Sequence, residues 1–142
     1  MKHFFILIFI ICIFSECQHS QKVPSFRKQY KEIYIDEFKL TYLRKLLIKG
    51  YNNSSAIREI INSDRSGFTE PILLAEDLKL IDSLTSADNQ TMIIDSAEGY
   101  RRAEGSQGKR PLGFSLGKFQ SKWLDSLARK RYKLSGLAKQ EY

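Results

Sequence analysis

The chain has 142 residues, a formal charge of +7 and two cysteines, Cys12 and Cys17, both near its start. Only one histidine, His19, lies beyond the opening segment. A Ser-His or Cys-His nucleophile and a histidine-rich zinc site therefore lack their residues, and no disulfide can form downstream of Cys17.

Lys2 and His3 precede an unbroken apolar run over residues 4–14, followed by Ser15, Glu16 and Cys17. That is the layout of a secretory signal. Eleven apolar residues are too few for a ~30 Å hydrocarbon core, which takes roughly 20 as a helix. Residues 1–17 are thus expected to be a cleavable signal peptide that sends the protein to the periplasm. Cleavage after Cys17 places Ser15 and Cys17 where small side chains are needed. Cleavage before it leaves Cys17 available for a lipid, and the protein then touches the membrane only through that group.

Residues 18–24 carry no periodic apolar pattern and read as a flexible leader. Residues 25–142 are long enough to form one domain with its own core, expected to be all-α, a small bundle of about five helices. Ser25 is placed to cap the first, in which Tyr30, Tyr34, Phe38 and Tyr42 recur every four residues and Ile33, Leu40, Leu43, Leu46 and Leu47 widen the stripe. Lys49 and Gly50 give its stop. Ser54 or Ser55 caps a short second helix over 56–61, and 62–67 reads as a loop.

Thr69 is expected to cap a third helix, with Glu70 and Pro71 in its first turn and Ile72, Leu73, Leu74, Leu78, Ile81 and Leu84 buried. Asp88 is expected to cap a fourth, running through Met92, Ile93, Ala97 and Tyr100 to Arg101 and Arg102. After an irregular connection over 104–113, Leu116, Phe119, Trp123, Leu124, Leu127 and Leu134 predict one last amphipathic helix that Gly136 ends, with Phe119 and Trp123 anchoring the core.

Charge is uneven along this chain. Residues 18–51 hold 8 basic and 3 acidic side chains, 52–99 hold 3 and 9, and 100–142 hold 11 and 3. Expected export argues against nucleic acid as the partner of the basic end, which reads instead as solvated helix faces that partly complement the acidic middle.

Asn62, Asp64, Ser66 and Gly67 imitate the first half of a calcium loop, but its twelfth position, where a bidentate Glu is needed, is Leu73. Glu70, Glu76, Asp77, Asp82 and Asp95 read as solvated helix acids rather than an acid and base pair. No catalytic residue, metal or cofactor is expected. What remains is recognition by surface: Glu104, Gly105, Ser106, Gln107, Gly108, Lys109 and Arg110 combine backbone freedom with two cationic donors.

Two segments, Tyr30-Lys31-Glu32 through Phe38-Lys39 to Lys49-Gly50-Tyr51 and Gly117-Lys118-Phe119-Gln120-Ser121-Lys122-Trp123-Leu124-Asp125-Ser126-Leu127, resemble the opening and closing helices of the amidase-effector immunity proteins of type VI secretion systems. The resemblance implies a periplasmic, all-helical protein, often a homodimer, that binds a peptidoglycan-cleaving amidase and occludes its active-site groove with a loop. Family members commonly carry cysteines in the first and last helices, where this chain has Leu46 and Trp123 or Leu124. The choice of residues 104–110 as the partner-binding loop rests on composition, not on the resemblance. The alternative is an envelope module that lies on anionic lipid or cell-wall polymer through Arg129, Lys130, Arg131 and Lys133 of the basic last helix.

Overall fold

A computed structural model describes residues 25–99 and 108–137. They form five helices and no strand: α1 Phe26–Gly50, α2 Ser55–Ser63, α3 Ala75–Glu98, α4 Pro111–Phe119 and α5 Lys122–Leu134. The expected signal, the leader, Tyr100 to Arg102 and residues 104–107 of the candidate loop lie outside the described residues.

The four-residue aromatic period makes α1 the axis of the bundle. Tyr34, Phe38, Tyr42, Leu46 and Gly50 form a buried line, with Ile35 beside it. Between Tyr30 and Gly50 only Asp36 is exposed, because other elements cover much of α1. Fully burying each large apolar side chain of this line stabilises the fold by roughly 1.5–3 kcal/mol.

After α2 the chain runs back along α1 as an extended segment. Arg44 Nη2 donates to Asp64 Oδ2 at 3.1 Å and to the Ser66 carbonyl, and Glu37 Oε2 accepts the Phe68 amide at 3.0 Å. Gly67, at φ +100°, fits where a Cβ would stand 2.6 Å from Glu37 Oε2. These contacts occupy the residues that imitate a calcium loop. The Ser66 hydroxyl and amide, then Arg44, hold the Asp64 carboxyl down at about 2.

The expected helix start at Thr69 is corrected: α3 begins at Ala75, and Ile72 is buried from the extended segment. The expected break before Asp88 is absent too, since α3 runs unbroken through it. Asp88 caps nothing; it accepts from Tyr42 Oη and, at 2.8 Å, from Lys118 Nζ. The face of α3 turned to the core carries Asp77, Ile81, Thr85 and Met92, whereas Leu78, Ile93 and Ile94 face outward. Leu78 was expected inside; the partners awaiting Asp77 and Asp88 on neighbouring helices turn α3 by its polar stripe instead.

Contacts rise together along α1 and α3, from Tyr34–Asp77 through Tyr42–Asp88 to Gly50 beside Met92, so the two helices are parallel. The last helices descend antiparallel to α1, with Pro111 against Gly50, Lys39 over the Phe119 ring and Tyr132 against Tyr34. Gly50 is required for this approach: a Cβ there would lie 2.8 Å from Pro111 Cβ. The left-handed residues of the turn that follows are Asn52 and Asn53.

The single last helix predicted from the leucine spacing is two. Ser121 interrupts it and caps α5, its Oγ accepting the Leu124 amide at 3.2 Å. The break re-phases the buried face, so Leu124, Ala128 and Tyr132 enter the core, Phe119 is half-buried and Trp123 stays 47% exposed. Leu46 and Leu124 are both fully buried core residues.

Candidate functional site

Three residues of the composition-chosen loop, Gly108, Lys109 and Arg110, are described, and they stand at the end of the bundle where α3 finishes and α4 begins. Lys109 is not free to reach outward. Its Nζ donates to Asn52 Oδ1 at 2.6 Å and to Asn89 Oδ1 at 3.4 Å, which ties the foot of the loop to the turn after α1 and to α3. Arg110 is exposed, and its carbonyl accepts the Phe114 amide at 3.1 Å to open α4.

Beside this foot is a cavity of about 480 Å³ between α3 and α4, lined by Met92, Asp95, Ser96, Gly99, Gly108, Lys109, Arg110, Gly113 and Phe114. Its floor is apolar and its rim carries both signs of charge. A cavity of this kind suits a side chain or short segment of a partner.

The acids singled out in the sequence are dispersed. Asp77 is wholly buried and accepts from Tyr34 Oη at 2.7 Å, Arg131 Nε at 2.7 Å and the Leu74 amide at 3.1 Å. Asp82 is held below the ordinary carboxylate range by Lys49, then Lys45, of α1. Asp95 lines the cavity, and Glu70 and Glu76 are exposed. Among the described residues no three His, Cys, Asp or Glu side chains are grouped to hold a metal ion.

The basic last helix is partly spent on the fold. Arg131 binds Asp77, and Arg129 pairs with Asp125 at 2.7 Å and with Glu32 at 3.7 Å. Of the four cations picked out for an anionic surface, only Lys130 and Lys133 remain exposed. No helix among the described residues is long and apolar enough to cross a membrane.

Two polar assemblies went unread in the sequence. Tyr34–Asp77–Arg131 and Tyr42–Asp88–Lys118 each join α1, α3 and a descending helix through a phenol, a carboxylate and a cation. Burial, then the adjacent carboxylate, raises both phenols well above their ordinary value. Their signal was present: Asp77, Ile81, Thr85, Asp88 and Met92 fall on one helical stripe of α3.

Lys118 has a further surrounding. Its ammonium lies 5.3 Å from the ring centres of both Phe114 and Trp123, and Trp123 packs edge-on against Tyr42 at 6.2 Å. The cation is therefore fixed between two rings as well as on Asp88.

Compared with protein-family models, curated proteins and solved structures, the chain has no match.

Proposed function

We propose that the protein is an exported immunity protein that binds a peptidoglycan amidase and blocks its active-site groove with the segment ending in Gly108, Lys109 and Arg110. The observation that carries this reading is the anchoring of Lys109 on Asn52 and Asn89. A loop whose foot is fixed loses less conformational freedom on binding, so more of its contact energy appears as affinity. Arg110, exposed beside the cavity, supplies a planar donor fork for a polar or acidic groove rim. The resemblance of α1 and of the α4–α5 region to the opening and closing helices of such immunity proteins supports the same reading.

The test is inhibition of a cell-wall amidase encoded beside this protein. Stoichiometric loss of peptidoglycan cleavage is expected, together with co-purification of the two proteins. Arg110→Glu should weaken both while leaving the helical fold intact. Failure to retain or inhibit any such amidase overturns the proposal.

A further inference from the structure

α4 is amphipathic the wrong way round. Its two leucines, Leu112 and Leu116, stand 55% and 41% exposed, while the residues it turns to the core are Pro111 and Ser115. Phe114, Lys118 and Phe119 are half-buried on its flanks. By contrast α3 seals Ile81 and Met92, and α5 seals Leu124 and Tyr132. No large aliphatic or aromatic side chain of α4 is sealed in this way.

The hydroxyl that α4 buries is also unsatisfied. Ser115 is fully buried and its Oγ has no hydrogen-bond partner, although a helical serine can ordinarily bond to the carbonyl four residues back. A buried donor left in that state favours any conformation in which water reaches it. The backbone offers little resistance. Nine residues are fewer than the roughly 12–15 at which an isolated helix becomes even marginal in water. Gly113 and Gly117 stand in the helix interior, where only proline is a poorer helix former, and an added Cβ at either would meet no atom within 4 Å. Between α4 and the end of α3 lies the cavity of about 480 Å³, so part of that flank is open.

What holds α4 sits at its two ends. Before it, Lys109 is bonded to Asn52 and Asn89, and Pro111 lies against Gly50. At the far end Lys118 donates to Asp88 at 2.8 Å, Lys39 lies over the Phe119 ring, and the Ser121 cap fixes the start of α5. The span between these clasps is weakly packed.

We infer that α4 is a strap that lifts from α1 in a local opening while α1, α3 and α5 stay folded. Lifting brings water to the Ser115 hydroxyl and melts the helix in the same event, because α4 is too short to persist undocked. The movement reaches the neighbouring segment. Arg110 gives its carbonyl to the Phe114 amide in the first turn of α4, so opening releases Arg110 while Lys109 remains clasped. This last consequence rests on the immunity reading: an amidase seated on Arg110 selects one position of the strap and holds it.

Two buried thiols compare the strap with the bundle. Ser115→Cys places one on α4 and Ala128→Cys one on α5, where both native side chains are 0% exposed. Reaction with a chromogenic aromatic disulfide is followed on the chain as processed on export, with the unsubstituted chain as blank. The Ser115→Cys variant should react at least about tenfold faster, at a rate that barely changes in low urea, because a local opening exposes little surface. Equal rates for the two variants, or the same steep urea dependence for both, overturn the inference. Hydrogen exchange of the unsubstituted chain makes the comparison without a mutation: the amides of Ser115 to Phe119 should exchange ahead of those of Tyr42 to Leu46, and simultaneous exchange overturns it too. Ser115→Ala, which deletes the orphan hydroxyl, should slow exchange in α4 about fivefold or more; faster exchange would mean that the hydroxyl holds the helix, and the strap is lost. Adding the amidase should slow the reaction of Ser115→Cys. A complex that inhibits yet leaves this rate unchanged overturns the link between strap and Arg110, whereas no binding, with the rate difference intact, defeats the immunity reading alone.

Discussion

The two Tyr–Asp–cation assemblies use one chemistry in two settings. Their tyrosines are eight residues apart on α1, a little over two turns, and their aspartates eleven apart on α3, close to three whole turns. Asp77 is sealed from solvent and three donors converge on it. It also sits in the first turn of α3, where the helix dipole favours negative charge. Asp88 lies in mid-helix, retains 14% side-chain exposure and is matched by a lysine rather than by an arginine. The first closes the bundle; the second connects the core to the Phe114 and Trp123 rings at its surface. The same triad therefore serves stability where it is dry and positions a surface where it is partly wet.

Removing the aspartates tests that contrast most directly. Asp77→Ala should cost about 3–5 kcal/mol, because Arg131 and Tyr34 are left without their buried partner. Asp88→Ala should cost less, about 1–3 kcal/mol, since Lys118 can reach water. Urea titration of the two variants measures both, and equal losses would erase the distinction between the assemblies. Gly50→Ala should follow at about 1–3 kcal/mol by forcing α4 away from α1.

Alkaline titration probes both assemblies together. The folded phenols of Tyr34 and Tyr42 ionise far above the ordinary value of 10.0, so the folded state keeps protons that the unfolded chain has lost. Stability from this source is complete below pH 10 and declines as pH rises above it, by up to about 1.4 kcal/mol per pH unit for each phenol. Chemical denaturation from pH 9 upward should show this slope in the native chain. In the Tyr34→Phe, Tyr42→Phe variant it should be reduced, and an identical slope would place the phenols outside the coupling.

What the sequence made legible followed the strength of its periodicity. The α1 stripe, from Tyr34 to Leu46, is apolar at every turn and was read correctly, as was the all-helical class. On α3 the inward stripe is interrupted by Asp77, Thr85 and Asp88, while Leu78, Ile93 and Ile94 lie outside. A rule that turns leucine inward therefore misjudges Leu78, while the cap-forming chemistry of Thr69 and Asp88 misplaces the helix start and suggests a break where there is none. The break at Ser121 was hidden because leucine spacing continues across it, although a serine followed three residues later by a satisfied amide is a cap. Lys109 was read as an outward donor, and only the folded arrangement brings Asn52 and Asn89 to it. Composition locates a loop but not the direction of its side chains.

The smallest effect is the one that best separates fold from surface. Gly117→Ala places a methyl group in open space on an exposed helix, so it should stabilise the protein by roughly 0.5–1 kcal/mol. Gly50→Ala, the same chemical change at a buried helix end, should have the opposite sign. A thermal melt of the two variants reads the difference. If Gly117→Ala instead destabilises, the glycine supports the fold despite its open surroundings. If it stabilises, the glycine is kept at a cost in stability that packing does not require.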